Sequence, residues 1–152
     1  MIESYLNELI LLDTNSSPVA FTEDDIRTRC ANCYGFLQHN EGSPLYKILT
    51  GGYYDISFNA NVSSATAGQV AFGLYEDGIL IPGTTVIADI ATAGNYENVA
   101  FTKTISVCCK GDATLTVQSV PTVLTGTTVA GSVPTATQIP LIQNANFRIS
   151  KR

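Results

Sequence analysis

The chain has 152 residues, and its thirteen acidic and eight basic side chains give a formal net charge of −5. Hydrophobic residues make up 45% and charged residues only 14%, which is enough apolar material for one buried core and excludes disorder over the whole length. An acidic chain without a basic cluster cannot neutralise a phosphate backbone, and polar residues run through its longest charge-free stretch, so we expect neither nucleic-acid binding nor a membrane span.

The N-terminal segment, residues 1–17, carries hydrophobic residues at the i, i+3, i+4 spacing of a helix. Because so short a helix is marginal alone, this spacing predicts a docking arm whose buried face lies on the domain, a neighbouring subunit or a partner protein. The face comprises Ile2, Leu6, Leu9 and Ile10. Six acids and no base occur in the first 25 residues, the reverse of a signal peptide, so we expect folding in a cytoplasm.

From Val19 onward the hydrophobic period changes to two, as in β-strands. The clearest predicted strand is residues 53–62, and residues 70–74 repeat its alternation before an Asp-Gly turn at Asp77. Further strands are expected at 84–90, 98–107, 113–120 and 144–149, with 27–38 and 46–49 before them, whereas 121–138 resembles a long loop.

Eight or nine short strands in residues 18–152 predict an all-β fold, a two-sheet antiparallel jelly-roll sandwich with a short N-terminal arm. The alternation assigns one set of side chains to its core. The set is Tyr54, Ile56, Phe58, Phe72, Leu74, Phe101, Ile105, Leu115 and Val117.

Residues able to catalyse a reaction are scarce. His39 is the single histidine, and we interpret it as a loop residue at a strand end rather than a general base. Asp24-Asp25 and Glu76-Asp77 could in principle serve glycoside hydrolysis, but the first pair fits a turn after Thr22 and the second fits a hairpin. The sequence therefore predicts no catalytic residues and no enzyme.

The four cysteines raise the question of a zinc site. Cys30, Cys33, Cys108 and Cys109 have the right number, but their spacing does not converge on one ion from a strand, so we expect no metal and no cofactor. A cross-strand disulfide and buried thiols both remain open. Tyr53 and Tyr54 are open to two interpretations, a sugar-stacking or partner-binding surface and ordinary strand filling.

Residues 52–62, GYYDISFNANV, resemble the G-x-Y-x-[IVF]-x-[FY]-x-A strand of the tumour-necrosis-factor and complement globular-head jelly rolls. Residues 69–80, 97–107 and 144–149 follow in that family's order. Within the superfamily, the chain is most similar to small structural proteins of phages and prophages of Firmicutes, through segments that include 26–30, Gly42-Ser43-Pro44 and Cys108-Cys109.

The resemblance implies a homotrimer and a virion structural protein, either a capsid decoration protein or a head or tail fibre knob, assembled in the host cytoplasm. Its implied partners are further copies of itself and a capsid or other virion protein contacted through the N-terminal arm. The alternative is a surface module that binds a host glycan or receptor, as in the jelly rolls of spore-surface glycoproteins. The absence of a collagen-like Gly-x-y stalk argues against that alternative.

Overall fold

A computed structural model describes residues 1–12, 17–26, 35–108, 112–120 and 140–152. Within these ranges the chain forms β-strands and no helix, so no described helix is available to cross a membrane. The strands are β1 (Ile2–Leu6), β2 (Ile10–Leu11), β3 (Glu23–Ile26), β4 (Leu37–Gln38), β5 (Tyr46–Ile48), β6 (Gly52–Ser64), β7 (Gly68–Glu76), β8 (Ile79–Leu80), β9 (Val86–Ile90), β10 (Glu97–Val107), β11 (Ala113–Val120) and β12 (Pro140–Lys151).

The strands form two antiparallel sheets that pack face to face. Sheet A has the order β10-β6-β12-β1-β3, with β2 also paired to β12. Sheet B has the order β4-β5-β11-β7-β8, with β9 also paired to β7. The predicted all-β, two-sheet jelly roll is therefore confirmed. Strand β12, with 12 residues, is twice as long as its predicted segment 144–149, whereas β6 and β10, with 13 and 11 residues, extend only one or two residues beyond their predicted bounds.

The core lies between the sheets and follows from side-chain alternation. In β6 every second residue from Tyr54 to Val62 points inward. All nine residues predicted for the core are buried. Phe58 lies at the centre, with its ring centroid 5.3 Å from that of Phe101 and 6.2 Å from that of Phe72. Aromatic pairs at such separations contribute beyond the area they bury.

The β7–β8 hairpin forms where the Asp-Gly pair predicted it. Asp77 and Gly78 have φ of 50° and 81°, the left-handed pair that a two-residue hairpin turn requires. The strand that enters this hairpin also depends on a glycine for space. A Cβ on Gly73 would lie 2.5 Å from Leu80 Cδ1 and 3.1 Å from Val120 Cγ2, so these two side chains cover the sheet at that position.

The helical interpretation of the N-terminus is wrong. Residues 2–6 form β1, which pairs with β12 on one side and β3 on the other, so Ile2 and Leu6 lie in the core of sheet A. The predicted docking face does not form one surface, because Ile10 is only half-buried and Leu9 is 53% exposed. The predicted division into an arm at 1–17 and a jelly roll at 18–152 therefore fails at β1.

One further expectation changes with the structure, and two others lie partly or wholly outside the described residues. Asp24 and Asp25 lie in strand β3 rather than in a turn after Thr22, because that strand pairs in register with β1. Of the predicted front strand at 27–38, the described part contains only Leu37–Gln38, since residues 27–34 lie outside it. The loop expected at 121–138 also lies outside the described residues.

Candidate functional site

The two candidate carboxylate pairs do not form a paired-acid site. Asp24 and Asp25 are neighbours on a strand, so their side chains point to opposite faces of sheet A, Asp24 inward and Asp25 outward. Asp77 belongs to the predicted hairpin, where its carboxylate accepts a hydrogen bond of 2.8 Å from the backbone N–H of Thr114. Burial first and the Asp77 charge second raise the pKa of Glu76. The hydrogen bond from Thr114 to Asp77 therefore joins the β7–β8 hairpin to strand β11.

His39 directly follows β4, as predicted, and it is buried. Its Nδ1 forms a hydrogen bond of 2.6 Å with Asp24 Oδ2, and its Nε2 donates one of 2.8 Å to the carbonyl oxygen of Ser43. The second oxygen of Asp24 accepts from the Ser4 hydroxyl. Since β1 and β3 belong to sheet A and β4 to sheet B, this cluster joins the two sheets.

The imidazole ring of His39 is held at both nitrogens. Its Nε2 carries a proton, because a peptide carbonyl can only accept, and its Nδ1 lies within hydrogen-bond distance of the Asp24 carboxyl. It stacks on Tyr46 at a centroid distance of 3.9 Å and an interplanar angle of 3°. Burial raises the pKa of Tyr46 far above its usual range; the nearby Ser4 hydroxyl offsets part of this effect and the charge of Asp24 adds to it. With no position left for a reacting group, the arrangement is suited to holding the fold together.

One of the four cysteines that could form a metal site lies in the described part of the chain. Cys108 follows β10 and is an exposed free thiol, whereas Cys30, Cys33 and Cys109 lie outside the described residues. Within the part of the chain that the structure describes, no three His, Cys, Asp or Glu side chains are grouped to hold a metal ion. The expectation of no metal remains a prediction.

A shallow polar depression lies on the outer face of sheet A, across β10, β6 and β12. Its volume is about 480 Å³, and we call it the Arg148 depression. Its lining comprises Asp55, Ile56, Ser57, Thr102, Lys103, Thr104, Arg148 and Ser150. Tyr53, one of the two tyrosines singled out in the sequence, is 61% exposed at the next outward position of β6, whereas Tyr54 is a core residue. Sequence reasoning missed this site, because its residues meet only through the register of three strands.

Large apolar side chains are exposed on both sheets. On sheet A, Leu11 is 62% exposed and pairs in register with Leu141, close in sequence to the exposed Leu9. On sheet B, Ile79 and Ile87 are 73% and 60% exposed on strands that both pair with β7. These two sets, the Leu9–Leu11 set and the Ile79–Ile87 set, are carried by different sheets.

Known structures share this fold at low sequence identity. The globular domain of zebrafish complement 1qA protein is 14% identical, with a TM-score of 0.59 over 99% of this chain and 94% of that one. Eiger TNF from S. frugiperda is 10% identical, with a TM-score of 0.62 over 99% and 91%. Murine APRIL at pH 5.0 is 10% identical, with a TM-score of 0.52 over 93% and 98%. No family model and no curated protein matches the chain. These likenesses confirm the tumour-necrosis-factor and complement type of jelly roll that the sequence indicated.

Proposed function

We propose that the chain is a non-enzymatic structural module that assembles as a homotrimer. The observation that carries this proposal is the pair of exposed apolar sets on different sheets. A ring of identical subunits needs two different surfaces on each copy, because the contact between neighbours is head to tail. The Leu9–Leu11 set on sheet A and the Ile79–Ile87 set on sheet B supply such surfaces, and burying them removes apolar area from water. The resemblance to a superfamily of tight homotrimers supports a ring of three.

The proposal that the chain is not an enzyme rests on the contacts of the candidate catalytic residues. His39 and Asp24 bind each other inside the sandwich, and Asp77 binds the backbone of β11. These three groups are thus engaged in holding strands together. A hydrolase built on the acid pairs would instead lose turnover in the Asp24→Asn or Asp77→Asn variant.

The finer role that we propose is that of a virion protein, a capsid decoration protein or a fibre knob. It is supported by the sequence resemblance to small structural proteins of phages and prophages of Firmicutes. Attachment cannot use the predicted helical arm, because β1 is part of sheet A. Exposed Leu9 and Leu11 are the part of that segment still able to contact another virion protein. Mass spectrometry of purified particles, with electron microscopy to locate the protein, tests this role.

The oligomer is tested by light scattering of the intact chain at micromolar concentration. We expect a trimer mass for the native chain and a loss of that mass for Ile87→Glu, which places a charge in one apolar set. Leu45→Glu is the matched control, since Leu45 is 52% exposed but flanks β5, two strands away from β7 in sheet B. A monomer mass for the native chain would contradict the proposal.

A further inference from the structure

The cluster that joins the two sheets, formed by Ser4, Asp24, His39 and Ser43, contains a proton that its hydrogen bonds require. Asp24 Oδ2 and His39 Nδ1 are 2.6 Å apart, and two acceptor atoms at that distance would repel each other, so a proton lies between them. A second proton is on His39 Nε2, which donates to the carbonyl oxygen of Ser43 at 2.8 Å. The ring and the carboxyl together therefore hold one proton more than a neutral imidazole and a carboxylate would hold.

Loss of that extra proton leaves the ring with a single N–H between two acceptors. If the N–H is on Nε2, a lone pair on Nδ1 faces the Asp24 carboxylate, and if it is on Nδ1, a lone pair on Nε2 faces the Ser43 carbonyl oxygen. A hydrogen bond to an ionised acceptor is about twice as strong as one to a neutral acceptor, so the N–H belongs on Nδ1. The contact that is lost is therefore the one to Ser43.

Among the described residues, the titratable groups that face the His39 ring are Asp24 and Tyr46. Tyr46 stacks on the ring from β5, and burial raises the pKa of its hydroxyl far above its usual range, so it stays protonated. From β1 the facing group is the Ser4 hydroxyl, which donates to the other oxygen of Asp24. Other charged side chains of β1, β3 and β5 occupy outward positions; they are Glu3, Glu23, Asp25 and Lys47.

The Ser43 contact holds an exposed turn against the sandwich. Residues 40–43 lie between β4 and β5, and the Ser43 N–H closes the turn by donating to the Asn40 carbonyl oxygen at 2.9 Å. Two hydrogen bonds fasten the turn to the rest of the chain. The Gly42 N–H donates to the Phe21 carbonyl oxygen at 2.7 Å, and the Ser43 carbonyl oxygen accepts from His39. With the second bond lost, the turn opens more often and Glu41, which lies in it, becomes more accessible.

We propose that this cluster is a proton-dependent latch, in which the proton between Asp24 and His39 keeps the turn at residues 40–43 closed and its loss releases the Ser43 end of that turn. A free imidazole loses its proton above about pH 6.5. There the unfolded chain binds fewer protons than the folded chain, so the free energy of unfolding falls as the pH rises. The latch is thus closed on the acid side of its transition and open on the alkaline side. Its residues belong to one chain and lie between the sheets, so it goes beyond the proposed homotrimer and does not depend on it.

The first test is an NMR titration of the intact chain with isotopically labelled histidine. His39 is the single histidine, so proton–nitrogen correlation through the ring carbons reports the protonation of its two nitrogens without further assignment. As the pH rises from about 6 to about 9, we expect Nε2 to lose its proton while Nδ1 carries one. In Asp24→Asn the amide can donate to Nδ1 of a neutral ring, so Nε2 should keep its proton throughout. Asp25→Asn is the matched control, since Asp25 points outward, and it should titrate as the native chain does.

The second test measures the turn itself with a glutamate-specific protease. Glu41 lies in the turn, and Glu8 lies exposed between β1 and β2, so the ratio of their cleavage rates cancels the protease's own pH dependence. We expect the rate at Glu41 relative to Glu8 to rise about fivefold over the same pH range, the equivalent of one net hydrogen bond. The rise should occur in the native chain and in Asp25→Asn, and it should be absent in Asp24→Asn.

Several outcomes would overturn the latch. If Nε2 keeps its proton to about pH 9, the Ser43 contact persists and the turn is not released. A constant cleavage ratio in the native chain, or the same rise in Asp24→Asn as in the native chain, would overturn it equally. If Asp24→Asn does not fold, the ring titration and the cleavage ratio of the native chain still decide. The oligomer mass is measured separately, so failure here and failure of the proposed function remain distinguishable.

Discussion

Replacing Asp24 by alanine should be the most destabilising single change at the cluster that joins the two sheets. The side chains of His39 and Asp24 are 0% and 3% exposed, so neither can be rehydrated without opening the sandwich. Removing one partner of a buried ion pair costs about 3–5 kcal/mol, because the other charge is left uncompensated. The Ser4 hydroxyl loses its acceptor as well. Ser4→Ala should cost only about 1 kcal/mol, since Asp24 then keeps His39.

Urea unfolding followed by circular dichroism measures these losses as a change in midpoint at constant slope. Asp25→Ala is the matched control: it removes the same group one residue along, on the outer face, and should cost less than about 1 kcal/mol. In a double-mutant cycle, Asp24→Ala with His39→Ala should lose about 1–3 kcal/mol less than the sum of the single losses. Equal losses for Asp24→Ala and Asp25→Ala, or an additive cycle, would refute the buried His39–Asp24 pair.

Three further changes test the core, the hairpin and the first strand. Phe58→Ala should cost about 3–5 kcal/mol in urea unfolding, because the ring is only 1% exposed; a loss under about 1 kcal/mol would place it on the wrong face. Glu76 has a raised pKa, so its folded form binds a proton more readily than its unfolded form and its ionised form costs stability at neutral pH. Glu76→Gln should therefore raise the free energy of unfolding slightly at pH 7, by under about 1 kcal/mol, and this gain should vanish on acidification. A lower free energy of unfolding at pH 7 would contradict the prediction. Deleting residues 1–6 removes β1 from between β12 and β3, so the truncated chain should lose its cooperative unfolding transition. An unchanged melting temperature would instead support the prediction that these residues form a docking arm outside the jelly roll.

Strands with a strict alternation were predictable because alternation and burial have the same cause. In β6 and β10 every second residue enters the space between the sheets, and the observed bounds differ from the predicted ones by one or two residues. The bounds of Ala113–Val120 agree completely. The Asp-Gly turn was equally predictable, since few other residue pairs adopt a positive φ at both positions.

The first strand was not predictable, because its five residues fit two periods. Ile2 and Leu6 are spaced i, i+4 for a helix, and the same residues share a face with Ser4 in a strand. Local sequence cannot choose between these, as the choice depends on β3 and β12, which lie on either side of β1. Pairing on both edges satisfies the backbone of residues 2–6, and that outweighs any helical preference in so short a segment.

The polar clusters were hidden for the same reason, since they depend on distant partners. Asp24 and His39 are 15 residues apart, and no local motif links them. The one available signal was that Asp24 occupies an inward position of a strand-length segment, where an acid needs a buried partner. Arg148 lies more than 90 residues from Ser57 along the chain, so only the register of β12 with β6 brings them together.

The two faces of sheet A use charge in opposite ways. On the inner face, Asp24 has its charge matched by His39 and its second oxygen bound by Ser4, so nothing remains for a ligand. On the outer face, Glu3 is the register partner of Arg148, yet its carboxylate accepts instead from Asn146 Nδ2 at 3.0 Å. The fold thus gives the nearby acid a different donor and leaves the guanidinium facing solvent among hydroxyls. Because no described side chain pairs with Arg148, its guanidinium is available to whatever packs on the outer face of sheet A.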